Sequence, residues 1–218
     1  MSAPAPRLAR IGVLISGRGS NMEALAEACE RGDIPAKIVV VISHRAEAAG
    51  LERARARGLA TAVVAPRDYA DRSAFERELA RRLQLHGVEW VCLAGFMRLL
   101  SSEFLAAFPD RVVNIHPSLL PAFPGLDAQH QALVHGAKIT GCTVHLVDSG
   151  LDSGPIVAQR AIEIDEDDTV ESLSSRLLLA EHETYTRAMR LLLGEEWSTE
   201  GRRVRFRRRG EKDSESDC

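Results

Sequence analysis

The stretch Ile11-Gly12-Val13-Leu14-Ile15-Ser16-Gly17-Arg18-Gly19-Ser20-Asn21 joins an uninterrupted apolar run to a glycine-rich loop. Such a run is typical of a strand that is buried on both faces, and the loop opens a helix predicted over residues 21–31. Glycines let backbone N–H groups approach an anion closely, and a helix N-terminus adds partial positive charge. This stretch therefore predicts a phosphate site at the carboxyl end of the first strand.

Apolar runs continue to alternate with helical patterns along most of the chain. Further strands are predicted over residues 37–42, 61–64, 88–94, 111–115, 142–147 and 156–164, and further helices over 46–57, 72–85 and 168–193. Val/Ile-rich strands separated by helices form parallel sheets that are covered on both faces. We predict an α/β, Rossmann-like fold with a mostly parallel twisted sheet of about seven strands and antiparallel additions in the C-terminal half.

The length of the chain indicates a single domain, and its positive and negative charges nearly balance. At 218 residues with a formal charge of −3, the chain fits one domain, and no global field favours a nucleic-acid partner. We predict a single domain over residues 1–200, with residues 1–9 as a short N-terminal extension. In residues 201–218 we predict a surface strand, Arg203-Val204-Arg205-Phe206, followed by a charged, disordered tail. Arginine-rich runs of this kind can bind nucleic acid, but a solvated surface strand is the simpler interpretation.

Apolar runs and cysteines indicate a cytoplasmic protein. No apolar run approaches the length of a transmembrane helix, and the first residues do not resemble a secretory signal. Cys29, Cys92, Cys142 and Cys218 are scattered and show no metal-finger spacing. Buried thiols in a reducing compartment are therefore expected, rather than a disulfide framework.

A dinucleotide-binding loop is the rival interpretation of the glycine-rich segment. Its fingerprint needs a third glycine, where this chain has Met22, and an acidic residue after the second strand, where it has Ser43-His44-Arg45. Both features that would indicate NAD are missing. A phosphate site is the better prediction.

Two later segments carry acid–base chemistry: Asn114-Ile115-His116-Pro117-Ser118-Leu119-Leu120-Pro121 and Leu151-Asp152-Ser153-Gly154-Pro155. Residues two apart on a strand point to the same face, so Asn114 and His116 should project together. A carboxylate from a later loop, Asp152, would complete a set that contains no nucleophile. Such a set can stabilise an oxyanion and move protons, which favours acyl transfer to a nucleophile that the substrate supplies.

Several blocks, in this order, resemble the signature blocks of the phosphoribosylglycinamide formyltransferases, the folate-dependent GAR transformylases. Besides the two segments above they are Gly17-Arg18-Gly19-Ser20-Asn21, Leu51-Glu52-Arg53-Ala54 and Leu93-Ala94-Gly95-Phe96-Met97-Arg98. The resemblance runs from Ile11 to about Leu193 and implies the Rossmann-like formyltransferase fold. It also implies a donor, 10-formyltetrahydrofolate, and an acceptor, the amine of glycinamide ribonucleotide (GAR). No metal, NAD, nucleic acid or membrane partner is implied, and family members occur as monomers or homodimers.

The resemblance matches Asn114, His116 and Asp152 to the family's catalytic residues. Asn114 would donate to the oxyanion, an interaction worth about 3 kcal/mol when preorganised. His116 would serve as the acid, with its pKa raised by Asp152, which would also organise a proton-relaying water. The residues matched to the GAR phosphate and ribose site are Gly19, Ser20, Asn21 and Glu181. Those matched to the folate site are Arg72, Phe96, Met97, Arg98, Leu99, Leu100 and Asn114.

One segment departs from the family, and two related activities and one non-catalytic function are alternatives. Where members often carry histidines, this chain reads Asp127-Ala128-Gln129-His130, in a mobile loop that shapes the folate site. Formyltetrahydrofolate deformylases typically have an extra N-terminal domain, and methionyl-tRNA formyltransferases a C-terminal RNA-binding domain. Neither is expected here. A non-catalytic nucleotide-binding module is the alternative of a different class, and the intact set of Asn114, His116 and Asp152 is evidence against it.

Overall fold

The computed structural model describes residues 7–207, so most of the predicted charged tail lies outside the described residues. The strands are β1 Ala9–Ile15, β2 Ala36–Ser43, β3 Thr61–Val63, β4 Trp90–Leu93, β5 Val112–His116, β6 Ile139–Leu146, β7 Ile156–Glu163, β8 Trp197–Glu200 and β9 Arg203–Phe206. The helices are α1 Ser20–Glu30, α2 Ala49–Ala56, α3 Arg72–Leu85, α4 Ser102–Ala106, α5 Ala128–Val134 and α6 Val170–Gly194, with a short 3₁₀ helix at Pro66–Asp68.

All the described strands form one sheet, in the order β3-β2-β1-β4-β5-β6-β7-β9-β8. From β3 to β5 the neighbours run parallel; β6 then pairs antiparallel with β5, and β7 pairs antiparallel with β6. The predicted α/β fold with antiparallel additions is confirmed. The sheet has nine strands rather than about seven. The two additional strands form the β8–β9 hairpin, and β9 coincides with the predicted surface strand. β8 is short and mostly exposed, so no apolar run indicated it.

Two apolar layers cover the sheet. On one face, α1 and α6 pack Leu25, Leu177 and Met189 against the strands, all fully buried. On the other face, α3 and α4 contribute Phe75 and Phe104 to a second cluster. Each helix therefore stabilises the fold through an apolar stripe on one side, as amphipathic surface helices do. No helix among residues 7–207 is long and apolar enough to cross a membrane.

The order of the strands places a crevice at their carboxyl ends. The chain winds outward from β1 through β2 to β3, and then returns to add β4 and β5 on the other side of β1. In open α/β sheets, ligands bind at this point of reversal, outside the carboxyl ends of the strands. The loops after β1, β4 and β5 meet here, and the antiparallel turn between β6 and β7 joins them.

Candidate active site

Asn114 and His116 lie at the carboxyl end of β5, and both line one cavity of about 570 Å³. Asn114 is partly exposed and His116 is buried. Because they are two residues apart on the strand, both side chains lie on the same face of β5 and at the same cavity. An amide and an imidazole meet there beside a volume large enough for a small ligand.

Asp152 reaches the same place from the loop between β6 and β7. Its Oδ2 lies 3.3 Å from Nδ1 of His116 and accepts a hydrogen bond of 2.8 Å from the backbone N–H of Gly125. The backbone of Asp152 is left-handed, with φ of 50°, a conformation that aspartate tolerates better than most residues. The turn thus directs the carboxylate back toward β5, and the structure brings the three predicted catalytic residues together.

A fourth polar residue, His145 on β6, was missed in the sequence. It is the cross-strand partner of Asn114 in the antiparallel register, and its Nδ1 lies 2.9 Å from the carbonyl of Leu146. A carbonyl only accepts, so Nδ1 carries a proton; in the singly protonated ring Nε2 accepts from Nδ2 of Asn114 at 3.2 Å, and it also lies 3.6 Å from Oδ1 of Asp152. This bond orients the amide, whose second N–H remains available to a ligand oxygen. A lone histidine in an otherwise apolar strand was the available signal.

The proton state of His116 differs from the expectation. Burial lowers the pKa of His116 below its ordinary value, with His145 acting in the same direction, although the Phe123 carbonyl and Asp152 oppose it. Asp152 does raise this pKa, as predicted, but burial outweighs the ion pair and the net shift is downward. Nε2 lies 2.9 Å from the carbonyl of Phe123 and donates to it. A ring protonated at Nδ1 as well would be a stronger acid than a free imidazolium.

Asp152 stays ionised in this setting. Burial alone would raise its pKa, but His145, the Gly125 N–H and His116 together hold the pKa below its ordinary value. The carboxylate therefore faces the imidazole as a charge that stabilises a protonated ring. The site combines a strong acid with a fixed counter-charge and an oriented amide donor.

The glycine-rich loop packs closely on the start of α2. Gly19 has φ of 79°, and a Cβ there would stand 2.7 Å from the Cα of Gly50, so a larger residue would force the two segments apart. Gly50 also donates to the carbonyl of Gly17 at 3.0 Å. The loop is thereby held at the N-terminus of α1, where Ser20 and Asn21 begin the helix with free backbone N–H groups.

Asn21 and Glu181 meet beside this loop, although 160 residues separate them in the chain. Both are buried, and Nδ2 of Asn21 donates to Oε2 of Glu181 at 2.7 Å. Burial raises the pKa of Glu181, while Asn21 and Arg18 oppose this effect. Oδ1 of Asn21 is buried without a hydrogen-bond partner among the described residues. Two such polar groups beside an anion loop are suited to the hydroxyls of a sugar phosphate.

The segment between β4 and α4, residues 94–101, forms one wall of the cavity. Met97 and Leu99 expose 65% and 57% of their surface there, whereas Phe96 and Leu100 are buried at 7% and 5%. Arg98 stacks its guanidinium over the ring of Phe75 at 5.2 Å. Of the residues predicted for the folate, the exposed apolar side chains are free to cover a flat ring, and the buried ones support the wall from behind.

Arg72 lies apart from the cavity. Its Nε donates to Glu76 at 2.7 Å and its Nη2 to the carbonyl of Leu99 at 2.9 Å, and it is not among the described residues that line the cavity. Glu76 is itself buried and also accepts from the backbone N–H and hydroxyl of Ser101. In this structure Arg72 therefore braces the cavity wall, and half of its side chain is exposed.

The segment that departs from the family forms the opposite wall and an unpredicted helix. Asp127 precedes α5 in a left-handed conformation with φ of 54°, and Gln129 lines the cavity. Nε2 of Gln131 donates to the carbonyl of Leu126 at 2.8 Å. The loop is thus tied to its own helix at one end and to Asp152 through Gly125 at the other.

A second cavity of about 690 Å³ lies at the amino ends of the strands, where Trp90 and Trp197 are lining residues. Arg111 stacks on the Trp90 ring at 5.0 Å, and Glu89 accepts from the backbone N–H of Arg10. Glu89 and Arg111 are thus engaged with neighbours, and the cavity is on the side of the sheet where α/β folds do not place their chemistry. The cavity beside Asn114 is the candidate active site.

Comparison with known proteins agrees with this geometry. Residues 9–189 match the formyl transferase family, and the chain belongs to that family. It is 43% identical over 185 residues to the phosphoribosylglycinamide formyltransferase of Bacillus subtilis, a match that covers 85% of this chain and 95% of that protein. The crystal structure of glycinamide ribonucleotide transformylase 1 from Symbiobacterium toebii superposes with a TM-score of 0.92 at 52% identity, covering 94% of this chain and 98% of that one.

Longer proteins contain a similar region. The trifunctional purine biosynthetic protein adenosine-3 of Drosophila melanogaster is 46% identical over 189 residues, which are 86% of this chain. This chain spans 14% of the length of that relative. The similarity therefore concerns one unit of the trifunctional protein.

Proposed function

We propose that this protein transfers the formyl group of 10-formyltetrahydrofolate to the amine of glycinamide ribonucleotide, giving formyl-GAR and tetrahydrofolate in purine synthesis. The observation that carries the proposal is the convergence of Asn114, His116 and Asp152 on a cavity next to an anion-binding loop. A site of this kind lacks a nucleophile of its own, and the amine of GAR would provide one. The names of the relatives support the same reaction.

Asn114 and His116 would act on the charge that develops when the amine attacks the formyl carbon. The N–H of Asn114 that is not bonded to His145 would donate to the formyl oxygen as it becomes negative, and a preorganised donor of this kind contributes about 3 kcal/mol. Protonated His116 would stabilise the same oxygen and deliver a proton toward the departing folate nitrogen through its Nε2–H, which would exchange the Phe123 carbonyl for the substrate. Asp152 would hold the protonated imidazole and accept a hydrogen bond from a relaying water.

The two substrates would bind on either side of these residues. For GAR, we propose that Gly19, Ser20 and Asn21 hold the phosphate and that Glu181 accepts from the ribose hydroxyls. For the folate, Met97, Arg98, Leu99 and the backbone around Phe96 and Leu100 would hold the pteridine, together with Asn114. The exposed apolar side chains of the cavity fit a flat heterocycle. Arg72, half-exposed behind Leu99, would have free N–H groups for the carboxylates of the glutamate tail.

We also propose a cytoplasmic location and a reaction that requires neither a metal nor NAD. Among the described cysteines, Cys29, Cys92 and Cys142 are free thiols, which suits a reducing compartment. The missing third glycine at Met22 weighs against a dinucleotide. A single domain over residues 1–200, a monomeric or homodimeric state, and the lack of nucleic-acid and membrane partners stay predictions.

A spectrophotometric assay with GAR and a 10-formyl folate tests the proposal. Release of the deformylated folate should require GAR and should yield formyl-GAR in equal amount. Release without GAR would identify water as the acceptor and make the protein a deformylase. If both ligands bind and no folate is released, the proposal fails in favour of a binding module.

A further inference from the structure

One hydroxyl group connects the nucleotide loop to the folate wall. Ser16 ends the apolar stretch of β1, immediately before Gly17, and only 5% of its surface is exposed. Its Oγ accepts from the backbone N–H of Met97 at 2.8 Å and lies 3.2 Å from Nδ1 of His44. His44 follows β2. Three neighbouring strand ends are thus joined through a single side chain.

The hydrogen of this hydroxyl has a defined direction. The Met97 N–H occupies one lone pair of Oγ, so the Ser16 hydrogen is free to bond to Nδ1 of His44 when that atom is unprotonated. Burial lowers the pKa of His44, and Arg98 and Arg45 act in the same direction, while Glu47 opposes them. At neutral pH the ring is therefore neutral and accepts.

His44 holds the wall in a second way. Its ring meets the ring of Phe96 edge-on, with centroids 5.3 Å apart, a favoured aromatic geometry. Two consecutive residues of the wall, Phe96 and Met97, are thus both restrained by His44, one through ring packing and one through Ser16. Residues 94–101 contain no helix or strand, so contacts of this kind set their position.

We propose that His44 is a positioning residue for the folate half of the site, acting through Ser16 on Met97. At the other end of the wall, Glu76 and Arg72 hold Ser101 and Leu99, so the wall is anchored at both ends while its middle presents exposed apolar side chains. The identity of the ligand rests on the proposed function. The restraint of the wall does not, and it can be measured in the free protein.

The test compares variants that remove or keep the hydrogen-bond acceptor that His44 offers to the Ser16 hydroxyl. His44→Leu removes it, His44→Asn places a carbonyl oxygen where Nδ1 stands, and Ser16→Ala removes the linking hydroxyl. Arg45→Ala, a change at the exposed neighbour, is the matched control. Hydrogen–deuterium exchange of the Met97 amide is measured without ligands. Tetrahydrofolate, the unreactive product, and GAR are then titrated separately by calorimetry.

Losing one hydrogen bond should speed exchange at Met97 and weaken tetrahydrofolate binding by about 3- to 10-fold in His44→Leu and Ser16→Ala. His44→Asn and Arg45→Ala should stay within about twofold of the parent protein, and so should GAR binding by His44→Leu. An unchanged exchange rate of the Met97 amide in His44→Leu would overturn the proposal. Equal losses of tetrahydrofolate affinity in His44→Asn and His44→Leu would overturn it as well. If the Met97 amide exchanges faster in these variants but the parent protein binds no folate, the folate of the proposed function is refuted and the connection from His44 through Ser16 to Met97 is supported.

Discussion

The sharpest consequence of the structure concerns Asn114 and the histidine that orients it. In Asn114→Ala the donor to the developing oxyanion is lost. Removal of one preorganised donor of this type lowers kcat by about 10²- to 10³-fold, equivalent to about 3–4 kcal/mol. Substrate binding should change little, because the amide makes its contribution mainly in the transition state. Steady-state rates with both substrates, measured with circular dichroism as a check on folding, give the comparison.

His145→Ala should cost less, because His145 touches Asn114 rather than the reacting atoms. Its Nε2 accepts one N–H of the amide at 3.2 Å. Loss of one such bond corresponds to about 0.5–1.5 kcal/mol, or about 2- to 10-fold in kcat. The double variant should be no slower than Asn114→Ala alone, since without the amide nothing remains for His145 to orient. His86→Ala, at the far end of α3, serves as the control and should retain full activity.

Two results would refute this reasoning. A loss below tenfold in Asn114→Ala would mean that the amide does not donate to the oxyanion. Multiplicative losses in the double variant would mean that His145 acts independently, for example through Asp152, whose Oδ1 lies 3.6 Å from its Nε2.

Further outcomes follow from buried polar groups. His116→Ala should abolish turnover while calorimetry still detects both ligands; full activity would end the proposed mechanism. Glu181→Gln should raise the KM for GAR with little effect on kcat. Because the folded pKa of Glu181 is raised, its ionised form costs stability above its unfolded pKa, so the variant should also resist urea better at pH 7. Tyr185→Phe removes a hydroxyl within 3.2 Å of the Leu93 carbonyl and 3.0 Å of that of Val113, and should lose about 1–3 kcal/mol in urea unfolding. Since burial is the main cause that lowers the pKa of His44, His116 and His182, the unfolded chain takes up protons first. The urea midpoint should therefore fall as the pH drops below about 6.5, and a midpoint that rises would contradict this sign.

Helices and strands were predicted correctly where the sequence pattern that indicates them is local. Apolar runs located β1, β2 and β4 within a few residues, because continuous burial on both faces leaves a continuous apolar pattern. α4 escaped detection because its span, Ser102–Ala106, is too short to show helical periodicity. α5 begins after a left-handed Asp127, and nothing in the chain indicates that backbone conformation.

The sequence did not predict the site contacts that depend on the pairing register of two strands or on two partners competing for one side chain. His145 faces Asn114 only because β6 runs antiparallel to β5 in one particular register, and sequence spacing carries no information about that pairing. The ion pair of Arg72 with Glu76, four residues later on the same helix, was also not predicted. Side chains at this spacing are neighbours, so this competing ion pair could have been recognised in the sequence.

Apart from Asp152, which lies in the loop between β6 and β7, the site divides into a part carried by strands and a part carried by loops. Asn114 and His116 lie on β5 and His145 on the paired β6, where ladder hydrogen bonds hold the backbone. The residues that would cover the ligands, including Met97 and the segment after Asp127, lie on loops whose position depends on single side-chain contacts. Groups that act on reacting atoms need tighter placement than groups that cover a ring. Changes in the loop part should therefore appear mainly in KM and those in the strand part in kcat. The departure at 127–130 falls in the loop part, so it should alter the fit of the folate and leave the chemistry intact.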